Sequence, residues 1–301
     1  MATTTLREPA VVNVRQPRRA SFEVARRVFR MRLAPLAIGI LGTFILMSIF
    51  ANVIQRYDPI TDQSYSEANE GPSAAHWLGT DYLGRDMWSR LVHGSRISLF
   101  VGLISVTVGL VFGVSIGVTA GFVGGKLDAF LMRITESIWT FPALMLALAI
   151  TSALGRGVIN SMIAIGIVGI PYFARLARAS TLSARELDYV LAARTLGSST
   201  LRILVSHILP NIAAPLIVQA SLGLGTAIIT EASLSFLGVG VQAPTPSWGL
   251  ELRTGYQYME LNPAVAIFPG LAIFLTVLAF NFLGDALRSA LDPRLARRGG
   301  D

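Results

Sequence analysis

The sequence predicts an all-α integral membrane protein with six transmembrane helices, and three observations carry that prediction. Hydrophobic residues fill 52% of the 301 positions and charged residues only 14%, against about 25% charged in a soluble domain. The mean hydropathy is +0.58. Apolar runs of about 20 residues, the length of helix that crosses a bilayer, recur along the chain. A chain without cysteine has no disulfide scaffold, thiolate metal site or cysteine nucleophile. His76, His93 and His207 lie far apart and lack metal-ligand spacing.

Residues 1–32 form a basic tail with eight arginines. A secretory signal also starts basic and turns apolar, but the run at 33–54 has 22 residues and no small-residue cleavage site after it. It reads as a retained first span. Residues 55–96 form a long polar loop ending in an amphipathic stretch, with Trp77 and Trp88 suited to a membrane interface.

The second span covers 97–120. Gly109, Gly113, Gly117 and Gly121 recur every four residues, a stripe that lets another helix approach closely. Gly113-Val-Ser115-Ile-Gly117 matches a hydrolase nucleophile elbow, but a serine in mid-span lacks the strand–turn–helix setting. The run from Gly121 to Lys126 approaches a phosphate-binding loop and fails at two positions, Ala120 and Leu127. ATP is therefore not bound by that route.

A third span lies within 127–154, with Asp128, Arg133 and Glu136 in its first turns and Phe141-Pro142 inside it. Arg133 and Glu136 are spaced to pair on one helix face. The fourth covers 158–174 and is interrupted by Pro171. A fifth begins near Ile212 and carries Pro215, Gln219 and Glu231. After a loop at 238–262, the sixth covers 263–283 and leads to a basic tail at 287–301.

Between spans four and five, residues 183–211 differ from their surroundings. Ser183 and Glu186 have capping-box spacing. Leu187, Val190 and Leu191 recur at helical spacing, and Gly197 stands where a helix ends in the left-handed conformation. Ser198 or Ser199 caps a second short helix with Leu201, Leu204, Val205 and Ile208, which Pro210 stops. The pattern is two amphipathic helices joined at a glycine, with Ala192-Ala193 as a small close-packing surface. Such an element either lies on the membrane or inserts into a partner's groove.

Six spans place both termini on one side. That side carries 19 of the 25 basic residues, so the positive-inside rule makes the termini and 183–211 cytoplasmic. The pI near 10.3 then needs no nucleic acid.

The run Ala192-Ala193-Arg-Thr-Leu-Gly197, followed after nine intervening residues by His207-Ile-Leu209-Pro210, resembles the EAA loop of binding-protein-dependent ABC importer permeases. Leu191 occupies the family's usual Glu slot and His207 its usual Ile slot. The stretches HWLGTDYLGRDMWSRLVHGSRISL, EASLSFLGVGVQAPTPSWG and FPGLAIFLTVLAFNFLGDALRSALDPR are similar to the second permease subunit of dipeptide and oligopeptide importers. The resemblance implies a type I ABC importer permease fold in the bacterial inner membrane, with a five-helix core at 97–286. It also implies that 183–211 is a coupling helix docking on a cytoplasmic ATPase, with Leu187, Leu191, Ala192, Ala193, Gly197, His207, Leu209 and Pro210 at the contact. The implied partners are a homologous permease, two ATPase subunits that bind ATP and magnesium, and an extracytoplasmic binding protein. This chain itself would hold no cofactor and no catalytic residue. The implied cargo is a di- or oligopeptide, with nickel or another small solute as an alternative. A secondary transporter driven by an ion gradient would instead use ionisable groups near the midplane, such as Glu231, with Asn281.

Overall fold

The computed structural model describes residues 26–29 and 31–291; the basic tails expected at 1–32 and 287–301 lie mostly outside the described residues. Among the described residues the chain is helical, with one isolated bridge between Thr80 and Asp86 and no strand.

The first apolar run forms α1 (Ala34–Ile49) and the four-residue α2 (Ala51–Ile54). The break between them is covered from a neighbouring helix. Arg96 Nε donates to Ser48 O at 3.0 Å and its Nη2 to Ile49 O at 3.4 Å. These are carbonyls that a helix end leaves unpaired.

Helix α3 (Met87–Val123) has 37 residues and starts ten positions before the expected second span. The stretch expected to lie at the interface is therefore partly its first three turns. Asp86 caps it: the carboxylate accepts from Ser89 N–H at 2.8 Å and from the Ser89 hydroxyl at 2.7 Å. A carboxylate there satisfies an orphan donor and complements the helix dipole. At the other end, Gly124 (φ +72°) and Gly125 (φ +62°) turn the chain into α4 (Gly125–Trp139). The glycine run that approaches a phosphate loop is spent on that turn.

The expected third span is a bent pair. Helices α4 and α5 (Ala143–Leu154) meet at 90°, because Pro142 disfavours helical backbone at Phe141 and has no N–H to continue the ladder. Helix α6 (Val158–Ala184) runs ten residues past the expected end and passes through Pro171 without breaking. Then come α7 (Asp188–Thr195), α8 (Thr200–Ile203), α9 (Leu209–Phe236), α10 (Trp248–Gln257) and α11 (Ala264–Leu291). Against the six expected spans, four helices among the described residues are long and apolar enough to cross a membrane, or five if the bent pair is one span. The sixth apolar element, α1, has 16 residues and is shorter than a usual span.

The glycine stripe of α3 lies against α6. A Cβ at Gly113 would fall 2.6 Å from both Ile170 O and Phe173 Cβ; one at Gly121 would fall 2.8 Å from Arg178 O. At Gly117 it would meet Ala174 O and sit 2.8 Å from Ala177 Cβ, and at Gly109 3.3 Å from Gly166 O. Helices in lipid gain little from the hydrophobic effect, so this close backbone packing supplies the attraction. The main core, including Val101, Ile165, Phe173, Ile212 and Leu216, fills the space between α3, α6 and α9. Helices α1 and α11 close the opposite side through Ala37, Leu41, Ala279 and Phe280.

Candidate functional site

Ser183 lies inside α6, its hydroxyl 3.4 Å from Ala179 O, so the expected capping box with Glu186 does not form. Leu187 stands at the N-cap of α7 in extended conformation. The helix stays intact here because Thr181 and Ala184 are buried and Arg185 Nη1 donates to Gly121 O on α3 at 2.8 Å. Packing along α3 outweighs a local capping preference of about 1 kcal/mol. Glu186 pairs instead with Arg185 at 2.9 Å.

Gly197 ends α7 at φ +76°. Its N–H donates to Arg194 O at 3.0 Å and that of Ser198 to Ala193 O at 3.0 Å, the two bonds of a Schellman motif. No atom lies within 4 Å of where its Cβ would be, so the left-handed backbone alone calls for glycine. Ser199 caps α8 by accepting from Arg202 N–H at 3.4 Å.

Pro210 does not stop the second helix, contrary to expectation. A π-helical turn, Leu204–Ile208, joins α8 to α9 and leads the helix straight through Pro210. The wider turn adds a residue per ring, and the proline falls in the first turn of α9, where a missing N–H costs little.

The element is tied to the bundle. Val190, Ala193, Ile203 and Ile208 are buried in the main core, and the Arg194 guanidinium lies 4.5 Å over the Phe122 ring at the end of α3. Between the two arms, the rings of Tyr189 and His207 stack at 6.2 Å and Asn211 donates to the Tyr189 hydroxyl. The buried His207 Nδ1 has no hydrogen-bond partner among the described residues.

The sequence-derived contact residues thus divide. Leu187, Leu191, Ala192, Gly197 and Pro210 are exposed, His207 and Leu209 are half-buried, and Ala193 is buried. Of the Ala192-Ala193 pair, only Ala192 is presented outward. Two apolar residues outside that set are the most exposed of the element: Leu196, 85% exposed, and Leu201, 71% exposed. Their signal was local, since each is an apolar residue flanking the Gly197–Ser199 turn.

Beside the element, Asp128 on α4 accepts two bonds from Arg178 on α6, at 2.5 and 2.6 Å. The pair expected between Arg133 and Glu136 is absent among the described residues.

The opposite end of the bundle holds a buried polar network. Arg90 on α3 is 1% exposed and donates to both carboxylate oxygens of Glu251 on α10, at 2.9 and 2.6 Å, and to Pro59 O at 2.5 Å. Asp81 pairs with Arg85 at 2.6 Å, and His76 Nδ1 lies 2.9 Å from Asp86. Glu231, wholly buried on α9, accepts from Ser235 at 2.8 Å and Ser98 at 3.1 Å. Ser98 Oγ accepts in turn from Trp248 N–H at 3.2 Å. Glu231 is therefore held in place by the packing of α3, α9 and α10. Asn281 donates to Val277 O within its own helix.

Residues 113–297 match the family model described as "Binding-protein-dependent transport system inner membrane component". A glutathione transport system permease protein GsiD of Pectobacterium atrosepticum is 46% identical over 94% of this chain and 93% of its own. The dipeptide transport system permease protein DppC of Alkalihalophilus pseudofirmus is 44% identical over 91% of this chain and 90% of its own. Among solved structures, the MetNI methionine ABC transporter in an inward-facing conformation matches with a TM-score of 0.56 at 20% identity. That match covers 68% of this chain and 98% of the other and shows a shared fold.

Proposed function

From the premise that this chain belongs to the family of binding-protein-dependent transport system inner membrane components, we propose that it carries short peptides across the membrane. The chain is the permease subunit of an ABC importer. That family is a transport component and in general non-catalytic. The peptide assignment is supported by the dipeptide and glutathione permeases that share more than two fifths of its residues over nearly their whole length.

The single observation that supports a coupling role is the folded 183–211 element, which turns apolar residues outward while its other face is sunk in the core. An exposed apolar ridge of Leu187, Leu191, Leu196 and Leu201 is what a groove on a partner recognises. Our reading is that a cytoplasmic ATPase receives it, with ATP and magnesium bound there. The termini are then cytoplasmic, a homologous permease completes the pore, and a binding protein delivers the solute from the far side.

Reconstituted vesicles test this. With ATP supplied on the side of the 183–211 element and the proton gradient collapsed, uptake of a labelled dipeptide or of glutathione should persist. Uptake that vanishes with the gradient, and ignores ATP, refutes the reading in favour of an ion-driven transporter.

A further inference from the structure

A cleft opens on the face shared by α3, α5, α6 and α9, lined by Ser105, Val168, Tyr172, Gln219, Thr226 and Thr230 among others. It continues along Tyr172 and Ala143 to the α4–α5 bend, where Trp139 and Phe141 line its wall. Polar side chains at membrane depth face a protein interior or a watered cavity. The serine and threonine hydroxyls here bond backbone: Ser105 to Met162 O at 3.1 Å, Thr226 to Leu222 O at 3.4 Å and Thr230 to Thr226 O at 2.8 Å. The middle of the cleft is thus largely apolar, with a few hydroxyls and the Gln219 amide, and it is uncharged.

Charge enters at the Trp139 end. The Arg175 guanidinium stacks 3.7 Å over the Trp139 ring, and that ring lies 4.4 Å from the ring of Tyr172. Stacking uses the face of a guanidinium and leaves its in-plane N–H donors available. Among the described residues no carboxylate lies within 4.0 Å of Arg175. The neighbouring arginines differ: Arg178 is bound to Asp128 and Arg185 to Glu186. Arg175 is therefore a cation held in position by an aromatic plate, exposed beside the cleft, with its carboxylate-matching edge unspent.

We propose that Arg175, positioned by Trp139 and Tyr172, is a carboxylate-binding station on the transport path. It receives the free C-terminal carboxylate of a short peptide as the peptide leaves the uncharged part of the cleft. This rests on the peptide reading above. The planar fork binds a carboxylate through two bonds, and the largely apolar, uncharged cleft ahead of it sets no charge requirement on the side chains that pass.

The test uses the complete importer in vesicles and whichever of dialanine and glutathione the wild type imports, alongside the C-terminal amide of the same peptide. Arg175→Gln should lower uptake of the free peptide about tenfold, the order of one lost charge-assisted hydrogen bond, and leave the amide near its wild-type rate. Selectivity of the binding protein cancels in each variant-to-wild-type ratio. Arg175→Lys should restore part of the loss. In this cysteine-free chain, Arg175→Cys should react with a thiol reagent more slowly during turnover of the free peptide. Equal losses for both peptides, losses that follow anionic-lipid content, or labelling indifferent to turnover would overturn the station while leaving the peptide reading intact. A wild type that imports neither peptide sinks the peptide reading, and the station with it.

Discussion

Replacing Gly117 with alanine adds one methyl group where α3 and α6 touch. That methyl would overlap Ala174 O and sit 2.8 Å from Ala177 Cβ and 2.9 Å from Arg178 N. All three neighbours belong to backbone or to a Cβ, so no rotamer change relieves the contact. A methyl carbon normally stands about 3.3 Å or more from a carbonyl oxygen, so the helices must part by several tenths of an ångström at least. Overpacking of this kind costs about 1–3 kcal/mol, and rigid neighbours place Gly117 at the upper end. Alanine returns up to about 1 kcal/mol of helix propensity, leaving a net loss of about 1–2 kcal/mol. Gly42→Ala on α1 is the control, since nothing lies within 4 Å of its Cβ, and it should be neutral or stabilising. Thermal unfolding of the importer purified in detergent, followed by tryptophan fluorescence, compares the two. At about 2–4 °C per kcal/mol for a protein of this size, Gly117→Ala should melt several degrees below Gly42→Ala. Equal melting temperatures, or the reverse order, would refute the packing argument.

Three further outcomes follow from the same geometry. Gly197→Val forces a β-branched residue into left-handed backbone, at about 1–2 kcal/mol or more, with no clash to add; the subunit should still insert, while uptake and retention of the ATPase fall together. Normal retention and uptake in that variant would remove Gly197 from the coupling argument. Arg90→Leu leaves Glu251 buried without its partner and should destabilise by about 3–5 kcal/mol, whereas the double change with Glu251→Leu should recover much of it; denaturant titration checks both, and a double variant as weak as the single one contradicts the pair's role. Single cysteines at Leu191, Leu196 and Leu201 should crosslink to the ATPase and one at the buried Val190 should not; crosslinks to lipid alone would count against docking.

Local chemistry made part of the site legible in advance. The Gly197 turn and the Ser199 cap depend on a few adjacent residues, and both follow from glycine's backbone freedom and a serine's reach. Where a competing force came from elsewhere in the chain, local reading failed. Ser183 has the spacing of a cap, but α6 is held helical by α3. Pro210 is a strong stop signal, and a π turn that no composition rule announces carries the helix past it. The polar start of α3 reads as a loop because Arg90, Ser89 and Asp86 are charged or polar; their partners include Glu251, 161 positions away. Such partners cannot be found from periodicity, since no spacing relates them. Phe141-Pro142 reads as the inside of a continuous third span, but the structure bends by 90° there because the proline cannot continue the ladder.

Helix α3 deserves one mechanical consequence. Its final turn is fastened to the 183–211 element by Arg185 on Gly121 and Arg194 on Phe122, and its first turns are bolted into the Arg90–Glu251 network. The helix runs through both points for 37 residues without a break, a beam of about 55 Å at 1.5 Å per residue. A beam fastened at both ends cannot absorb a push along its length. A tilt of about 5° about the middle of the Gly109–Gly121 crossing, about 38 Å from Arg90 at 1.5 Å per residue, moves the Arg90 end by about 3 Å. Levered this way about the crossing, the two ends of α3 swing in opposite directions, so a displacement of the 183–211 element is carried to the Arg90–Glu251 network.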